Sequence, residues 1–94
     1  MTRTPVHPGK ILQDELHELG MSAAALARYL KVPTNRITNI LTGRRAVTAD
    51  TALRLGHWFG MSAEFWLNLQ KQYELRLAEK VSGAEIRRLP RKAA

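Results

Sequence analysis

Five polar side chains lie close together in the first half of the chain, and their chemical types match the edges of nucleic-acid bases. They are Thr34, Asn35, Arg36, Thr38 and Asn39. An asparagine can pair bidentately with adenine and an arginine with guanine, while a threonine offers a hydroxyl or a methyl group. Two further cations, Arg44 and Arg45, follow in the sequence and are suited to contacts with phosphate groups. This combination predicts a surface that reads the bases of double-stranded DNA.

Two short helices joined by a sharp turn are predicted to position these side chains. Apolar residues recur at helical spacing in two neighbouring segments, 22–30 and 34–42, and only residues 31–33 separate them. Ser22 is a suitable N-cap for the first helix, and Gly43 can end the second in a left-handed conformation. The polar residues of the second helix have no apolar role and are expected to face outward. We therefore predict a helix-turn-helix whose second helix recognises DNA.

Positive charge is concentrated around these two helices. The whole chain carries a formal net charge of +7, and its isoelectric point is near 10.6. Between Met21 and Gly60 six basic residues stand against one acidic residue, Asp50. One of the six, Arg28, is a further candidate for a phosphate contact. Exposed polar faces of helix pairs are often merely solvated, but this local excess favours DNA, with an anionic membrane surface as the weaker alternative.

The composition indicates one small intracellular domain. The chain has 94 residues, of which 45% are hydrophobic, and these can form a single modest core. The absence of cysteine excludes disulfide bonds and thiolate metal sites. No apolar run approaches the roughly 20 residues that cross a bilayer, and the N-terminus lacks the apolar centre of a secretory signal. We therefore expect a cytoplasmic protein.

The remaining sequence predicts an all-α domain of five helices with a short arm and a basic tail. The arm comprises residues 1–7 and the domain residues 8–80. The helices are expected at about 8–19, 22–30, 34–42, 49–59 and 63–79. Residues 81–94 form the tail, in which a capping box beginning at Ser82 predicts a short sixth helix at 83–88. The rest of the tail is expected to be disordered.

The fifth helix carries a broad apolar face that is hard to bury within so small a domain. It is formed by Phe65, Trp66, Leu69 and Tyr73. Apolar surface left over at the end of a small domain suggests a homodimer interface. The alternative is ordinary packing of these side chains into the domain's own core, and the sequence does not choose between the two.

Residues that could support catalysis or metal binding are scattered along the chain. His7, His17 and His57 lack the spacing of a helical metal pair, and no cysteine accompanies them. Asp14 and Glu15 are neighbours on a predicted helix and so point in different directions. We therefore expect neither an enzyme nor a bound metal or cofactor.

Several motifs, in their order and spacing, resemble a known family. They are His7–Leu12, Leu26–Ala27, Val32–Pro33, Arg36–Ile37, Gly43–Arg45, Thr48–Leu55 and Phe65–Gln70. Over about residues 6–79 the chain is similar to the HigA family of antitoxins. That family falls within the wider Xre and Cro/CI-like group of helix-turn-helix proteins, so the resemblance implies a lambda-repressor-like DNA-binding fold.

The resemblance further implies a bacterial antitoxin from a two-gene toxin-antitoxin module. Such a protein represses its own operon as a dimer and neutralises a small, basic, HigB-like toxin that cleaves messenger RNA. The dimer would form largely through the C-terminal helices, and its two recognition helices would meet successive major grooves about 34 Å apart. One alternative is a stand-alone transcriptional regulator without a toxin. Another is an interaction module whose basic surface binds RNA or an acidic protein.

The chain departs from the family pattern at two positions. Lys31 occupies the turn position where glycine is common, so we expect either a left-handed conformation at some energetic cost or a slightly different turn. Ala23 stands where related repressors often carry a glutamine that touches the DNA backbone. The sequence thus offers no glutamine contact at the start of the second helix.

Overall fold

The structure is a computed structural model that describes residues 4–93, and within that range it contains five α-helices and no β-strand. The helices are α1 (Pro8–Leu19), α2 (Ala23–Leu30), α3 (Thr34–Leu41), α4 (Ala49–Phe59) and α5 (Ala63–Arg87). The predicted all-α helix-turn-helix fold is confirmed, and the first four helices lie within one residue of their predicted bounds. Residues 1–3 of the predicted arm and residue 94 of the tail fall outside the described range.

Two serines determine where α2 and α5 begin. The hydroxyl group of Ser22 accepts a hydrogen bond from the Ala25 N–H at 3.1 Å. The hydroxyl group of Ser62 accepts one from the Phe65 N–H at 3.2 Å. Each bond satisfies a backbone donor that has no partner inside its helix. The N-cap expected at Ser22 is therefore present, and Ser62 caps α5 in the same way.

The turn of the helix-turn-helix is built around a lysine in a left-handed conformation. Lys31 has φ 58° and ψ 48°, which costs a non-glycine residue about 1–2 kcal/mol. The Lys31 N–H donates to the Arg28 carbonyl at 3.2 Å, and the Val32 N–H donates to the Ala27 carbonyl at 3.0 Å. These bonds close the end of α2 in the geometry usual with glycine. Of the two expectations for Lys31, the left-handed conformation is confirmed.

The core lies where α1 to α4 meet the first half of α5. Its buried hydrophobic side chains are Leu12, Leu16, Leu26, Ala27, Leu30, Ile37, Ile40, Val47, Ala52, Leu55 and Trp66. α2 and α1 pack against α3, and α5 packs against α4 and α1. The recognition helix is therefore held from its apolar side, and its opposite side faces solvent.

α5 is longer than the sequence predicted. It runs without a break to Arg87, so the predicted end at Glu79 and the separate short helix at 83–88 are wrong. Ser82 lies inside the helix rather than at an N-cap, because no proline or left-handed residue interrupts the chain there. Gly83 costs the helix about 1 kcal/mol relative to alanine, and an ion pair between Glu79 and Arg87 closes over it.

The far half of α5 projects from the domain. The molecule measures 52 × 23 × 21 Å along its principal axes, which reflects this elongation. Along this half, Leu75, Val81 and Ile86 are 62%, 77% and 53% exposed. None of the helices in the described range, α5 included, combines the length and hydropathy that a bilayer span requires.

The apolar face predicted on the fifth helix is used mainly inside the domain. Trp66 is completely buried, so its interpretation as a dimer contact is wrong, and Leu69 is partly buried against the core. Tyr73 packs edge-on against the ring of His7, with 4.9 Å between ring centroids. Phe65 remains 38% exposed. The alternative of core packing accounts for most of this face, because α1 and α4 cover it.

Candidate nucleic-acid interface

The outer side of α3 carries a small group of polar side chains that reach solvent. They are Thr34, Asn35, Thr38 and Asn39, the last of which is partly exposed. Their shared orientation follows from Ile37 and Ile40, which are completely buried on the other side of the helix. Amide and hydroxyl groups on one exposed helical face provide the donors and acceptors that base edges require. Four of the five predicted base-reading residues therefore lie together.

Arg36 does not share this exposed face. Its guanidinium group turns toward α4, where Nη1 donates to the Oδ2 atom of Asp50 at 2.8 Å. The side chain is only 25% exposed, and within the described residues its buried Nε atom has no hydrogen-bond partner. The prediction that Arg36 faces outward with its neighbours is therefore wrong. The reason is tertiary, because only the folded chain brings α3 beside the first turn of α4.

Asp50, in the first turn of α4, links α3 to α4 directly and to the end of α2 through Arg54. The same Oδ2 atom accepts a hydrogen bond from Nε of Arg54 at 2.9 Å, and Nη1 of Arg54 donates to the Leu30 carbonyl at 2.7 Å. The hydrogen bond from Arg54, supported by the Arg36 guanidinium, lowers the pKa of Asp50 below its usual value. Asp50 is therefore ionised throughout the neutral range. We call Asp50, Arg36 and Arg54 together the Asp50 clasp.

The loop after α3 folds back onto the end of that helix and carries two exposed arginines. The Asn39 carbonyl accepts hydrogen bonds from the backbone N–H groups of Arg44 (2.8 Å) and Arg45 (3.1 Å). The Thr42 hydroxyl donates to the same carbonyl at 3.2 Å. Gly43 permits the reversal because it adopts φ 78°. The loop thus places the backbone of both arginines beside the C-terminal end of the recognition helix. A role in phosphate contacts requires this position.

A buried glutamine that the sequence analysis missed anchors the other end of this loop. The Oε1 atom of Gln70 accepts a hydrogen bond from the Val47 N–H at 2.9 Å. Its Nε2 atom donates to the Oε2 atom of Glu74 at 2.7 Å. Gln70 is only 7% exposed, so an unpaired amide there would cost free energy. The available signal was a glutamine on the otherwise apolar face of the fifth helix.

His7 is a second residue whose role the sequence analysis missed. Its Nδ1 atom accepts a hydrogen bond from the Gly9 N–H at 2.9 Å, so His7, the last residue of the predicted arm, is the N-cap of α1. Burial lowers the pKa of His7, and a hydrogen bond with the Arg45 backbone and the charge of Glu74 partly oppose this shift. The available signal was Pro8, since a residue that precedes a first-turn proline occupies the N-cap position.

Arg28, the third predicted phosphate contact, is exposed in the last turn of α2. The ion pairs found within residues 4–93 join other residues, so no acidic side chain neutralises Arg28 there. The same holds for Arg44 and Arg45. Their positive charges are therefore available to an anionic ligand.

Comparisons with known proteins connect this chain and its fold to one family. A helix-turn-helix family model matches residues 12–66. The solved structure of a HigA-family addiction-module antidote protein from Coxiella burnetii gives a TM-score of 0.94 and 51% identity, covering 97% of this chain and 100% of that one. The Pseudomonas aeruginosa antitoxin HigA, solved with the higBA promoter, gives a TM-score of 0.91 and 43% identity, with coverage of 97% and 100%. Virulence-associated protein I of Dichelobacter nodosus is 51% identical over 75 residues, which are 79% of this chain and 69% of that protein.

Proposed function

This chain belongs to the HigA family of helix-turn-helix proteins, and on that premise we propose that it is an antitoxin that binds operator DNA and represses its own operon. The observation that carries the proposal is the outer face of α3. Polar side chains are exposed there on the side opposite the core, and two exposed arginines, Arg44 and Arg45, follow at the end of the helix. An exposed recognition helix beside a cationic loop is the arrangement that helix-turn-helix proteins place in a major groove.

The proposed contacts divide into base reading and positioning. α3 enters the major groove, and its base-reading residues are Thr34, Asn35, Thr38 and Asn39. Arg44 and Arg45 bind phosphate groups beside the groove, and Arg28 adds a further phosphate contact from α2. The phosphate contacts supply affinity for any DNA, whereas the side chains on α3 supply preference among sequences.

We propose that the operator is bound by a homodimer whose interface lies on the far half of α5. The support is the set of large apolar side chains that this projecting segment exposes, namely Leu75, Val81 and Ile86. Exposed apolar surface of this kind favours association. A two-fold arrangement would place two copies of α3 about 34 Å apart, in successive major grooves. Of the aromatic residues predicted for the interface, Phe65 and Tyr73 retain exposed surface that could contribute.

The second part of the proposal is neutralisation of a toxin. The membership of the HigA family supports a partner similar to HigB, a small basic protein that cleaves messenger RNA, encoded beside the gene for this chain. Repression of an operon and inhibition of messenger RNA cleavage both place the protein in the bacterial cytoplasm.

Fluorescence anisotropy with a labelled duplex from the region upstream of the protein's own gene tests DNA binding. The comparison is a scrambled duplex of equal length and base composition, at the same salt concentration. A specific site is expected to bind roughly 10³-fold more tightly or better. Equal affinity for the two duplexes would contradict sequence-specific reading and favour a module that binds nucleic acid through charge alone.

A tagged pull-down from the native host tests for the toxin. Nuclease is added to remove DNA bridges, and bound proteins are identified by mass spectrometry. Recovery of a stoichiometric small basic protein supports the antitoxin function. Recovery of the homodimer alone, while the neighbouring genes are expressed, would instead favour a stand-alone regulator.

A further inference from the structure

Arg36 is the one side chain on α3 that can pair bidentately with guanine, yet in the structure it pairs with Asp50 instead. A guanidinium group reads guanine by directing two N–H donors at its O6 and N7 atoms. In this protein Nη1 of Arg36 donates to Asp50 instead, and the buried Nε atom lies out of reach of solvent. The Arg36 side chain is only 25% exposed, although it belongs to α3, the helix that we propose enters the major groove.

We infer that Asp50 is a specificity-determining residue that acts by holding Arg36 away from the bases. Without this ion pair, Arg36 could extend toward the groove and select guanine. With it, base reading depends on the amide and hydroxyl groups of the neighbouring residues on α3. Asp50 itself touches no base in this scheme, so it is a positioning residue. The inference rests on the proposed function and concerns which sequence the protein prefers.

The Asp50 clasp holds its carboxylate firmly enough to position Arg36. Asp50 is fixed from a second direction by Nε of Arg54 at 2.9 Å, and Arg54 is itself tied to the Leu30 carbonyl at 2.7 Å. The carboxylate is thus held in place independently of Arg36. For Arg36 to bind a base, it would have to abandon a charge-assisted hydrogen bond at 2.8 Å and leave Oδ2 with one fewer donor.

The test is selection from a pool of random-sequence duplex DNA, sequenced before and after binding to the full chain. The wild type, Asp50→Asn and the double variant Asp50→Asn/Arg36→Gln are compared. Asp50→Asn keeps the size and one acceptor of the side chain but removes the charge that holds Arg36. It is expected to add a preference for guanine of roughly 5- to 150-fold at one position of each half-site. The double variant should lose that added preference.

Matched variants separate this effect from changes in charge or fold. Asp50→Glu preserves the carboxylate and should retain the wild-type motif. Asp50→Asn/Arg54→Gln should keep the added guanine preference, because the released reader is Arg36 and not Arg54. Arg36→Gln alone should select the wild-type motif, and it keeps the test decisive if Asp50→Asn fails to fold. Circular dichroism and thermal unfolding establish that each variant is helical.

Three outcomes would overturn the inference. Arg36→Gln could erase a base preference that the wild type shows, which would mean that Arg36 reads DNA in spite of Asp50. Asp50→Asn could bind all sequences more tightly with an unchanged motif, which would be an effect of net charge alone. If the wild type enriches no sequence, the proposed function itself fails and the inference falls with it, whereas the first two outcomes leave that function intact.

Discussion

At the scale of single residues, Asn39 combines a structural role with a proposed role in base recognition, and the two roles use different atoms. Its backbone carbonyl collects hydrogen bonds from Thr42, Arg44 and Arg45 and so shapes the loop after α3. Its side chain lies at the edge of the outer face of that helix. Because these hydrogen bonds use the backbone carbonyl and not the side-chain amide, the side chain can be removed without displacing the two arginines.

Asn39→Ala is therefore predicted to lose base reading while keeping phosphate binding. The expected cost is about 1–3 kcal/mol at one base pair of each half-site, with relaxed preference there. This loss of preference is measured by competition binding against operator duplexes that each carry one changed base pair. The matched control is Asn68→Ala, which removes an exposed asparagine from α5 and should change nothing. A uniform loss across all operator variants would assign Asn39 to positioning instead.

Arg45→Ala is predicted to have the complementary effect. It removes an exposed cation from the loop beside α3, so it should weaken binding to specific and random duplexes about equally. In a plot of the logarithm of the association constant against the logarithm of the salt concentration, the slope should become shallower by about one for each Arg45–phosphate contact that is lost. Lys71→Ala removes the same charge from an exposed position on α5 and serves as the control. A loss confined to one operator sequence would argue against a phosphate contact.

His7 is predicted to make the stability of the fold depend on pH. Its folded-state pKa is lowered by burial, so the unfolded chain binds more protons as the pH falls through about 6.5. Protonation at Nδ1 would also remove the acceptor for the Gly9 N–H. The contribution of His7 to stability is therefore complete above this pH and lost below it.

Urea unfolding between pH 8 and pH 5 measures this dependence. His7→Asn retains a side-chain acceptor at the N-cap but no titratable group, so its midpoint should fall less with decreasing pH than that of the wild type. His17→Asn, which alters an exposed histidine in α1, should follow the wild type. Identical pH profiles for wild type and His7→Asn would show that protonation of the His7 ring does not change the stability of the fold.

At the scale of elements, two helical glycines have opposite roles. Gly9 lies where α1 meets α3, and a Cβ atom there would stand 1.9 Å from the Ile40 carbonyl oxygen. That oxygen is backbone and cannot move without displacing the recognition helix. Gly83 lies inside α5, where the atoms nearest to an added Cβ belong to the carboxylate of Glu79, the far end of a flexible side chain that is 44% exposed.

Gly9→Ala and Gly83→Ala are accordingly predicted to shift stability in opposite directions. Gly9→Ala should lower the free energy of unfolding by about 1–3 kcal/mol or more, because overpacking forces α1 and α3 apart. Gly83→Ala should raise it by about 0.5–1 kcal/mol through its higher helix propensity. Chemical denaturation of both variants measures the changes. A stabilised Gly9→Ala would show that α1 and α3 do not approach as described.

At the scale of the whole molecule, our proposal gives the compact domain and the projecting half of α5 separable functions, DNA binding and dimerisation. The double variant Leu75→Glu/Ile86→Glu places charges on two exposed apolar positions of that half. It should leave the domain folded but shift the protein from dimer to monomer in sedimentation equilibrium. The affinity for a two-half-site operator should then fall by roughly 10²-fold or more, because the second contact is no longer intramolecular.

The control for this prediction is Leu53→Glu, which charges an equally exposed leucine on α4. It should leave the oligomeric state unchanged. A double variant that remains dimeric would place the interface elsewhere, with the exposed surface of Phe65 as the next candidate. A double variant that remains dimeric but binds DNA more weakly would show that these α5 residues affect operator affinity by a route other than dimerisation.

The sequence by itself determined four helices to within a residue, because the apolar spacing of each helix, the Ser22 cap of α2 and the glycines that end α1 and α4 act over a few neighbouring residues. It also placed Thr34, Asn35, Thr38 and Asn39 on one exposed face, since helical geometry relates them directly. The same local reasoning failed at Ser82, where a capping pattern occurs within a longer helix.

Only the tertiary structure decided what the remaining side chains do. Arg36 is directed by Asp50 on another helix, and Trp66 is covered by elements far from it in sequence. Gln70 and His7 likewise find partners that no local pattern specifies. The physical reason is common to all four residues: hydrogen bonds and burial between helices depend on how the helices pack, and that packing is settled by the core as a whole.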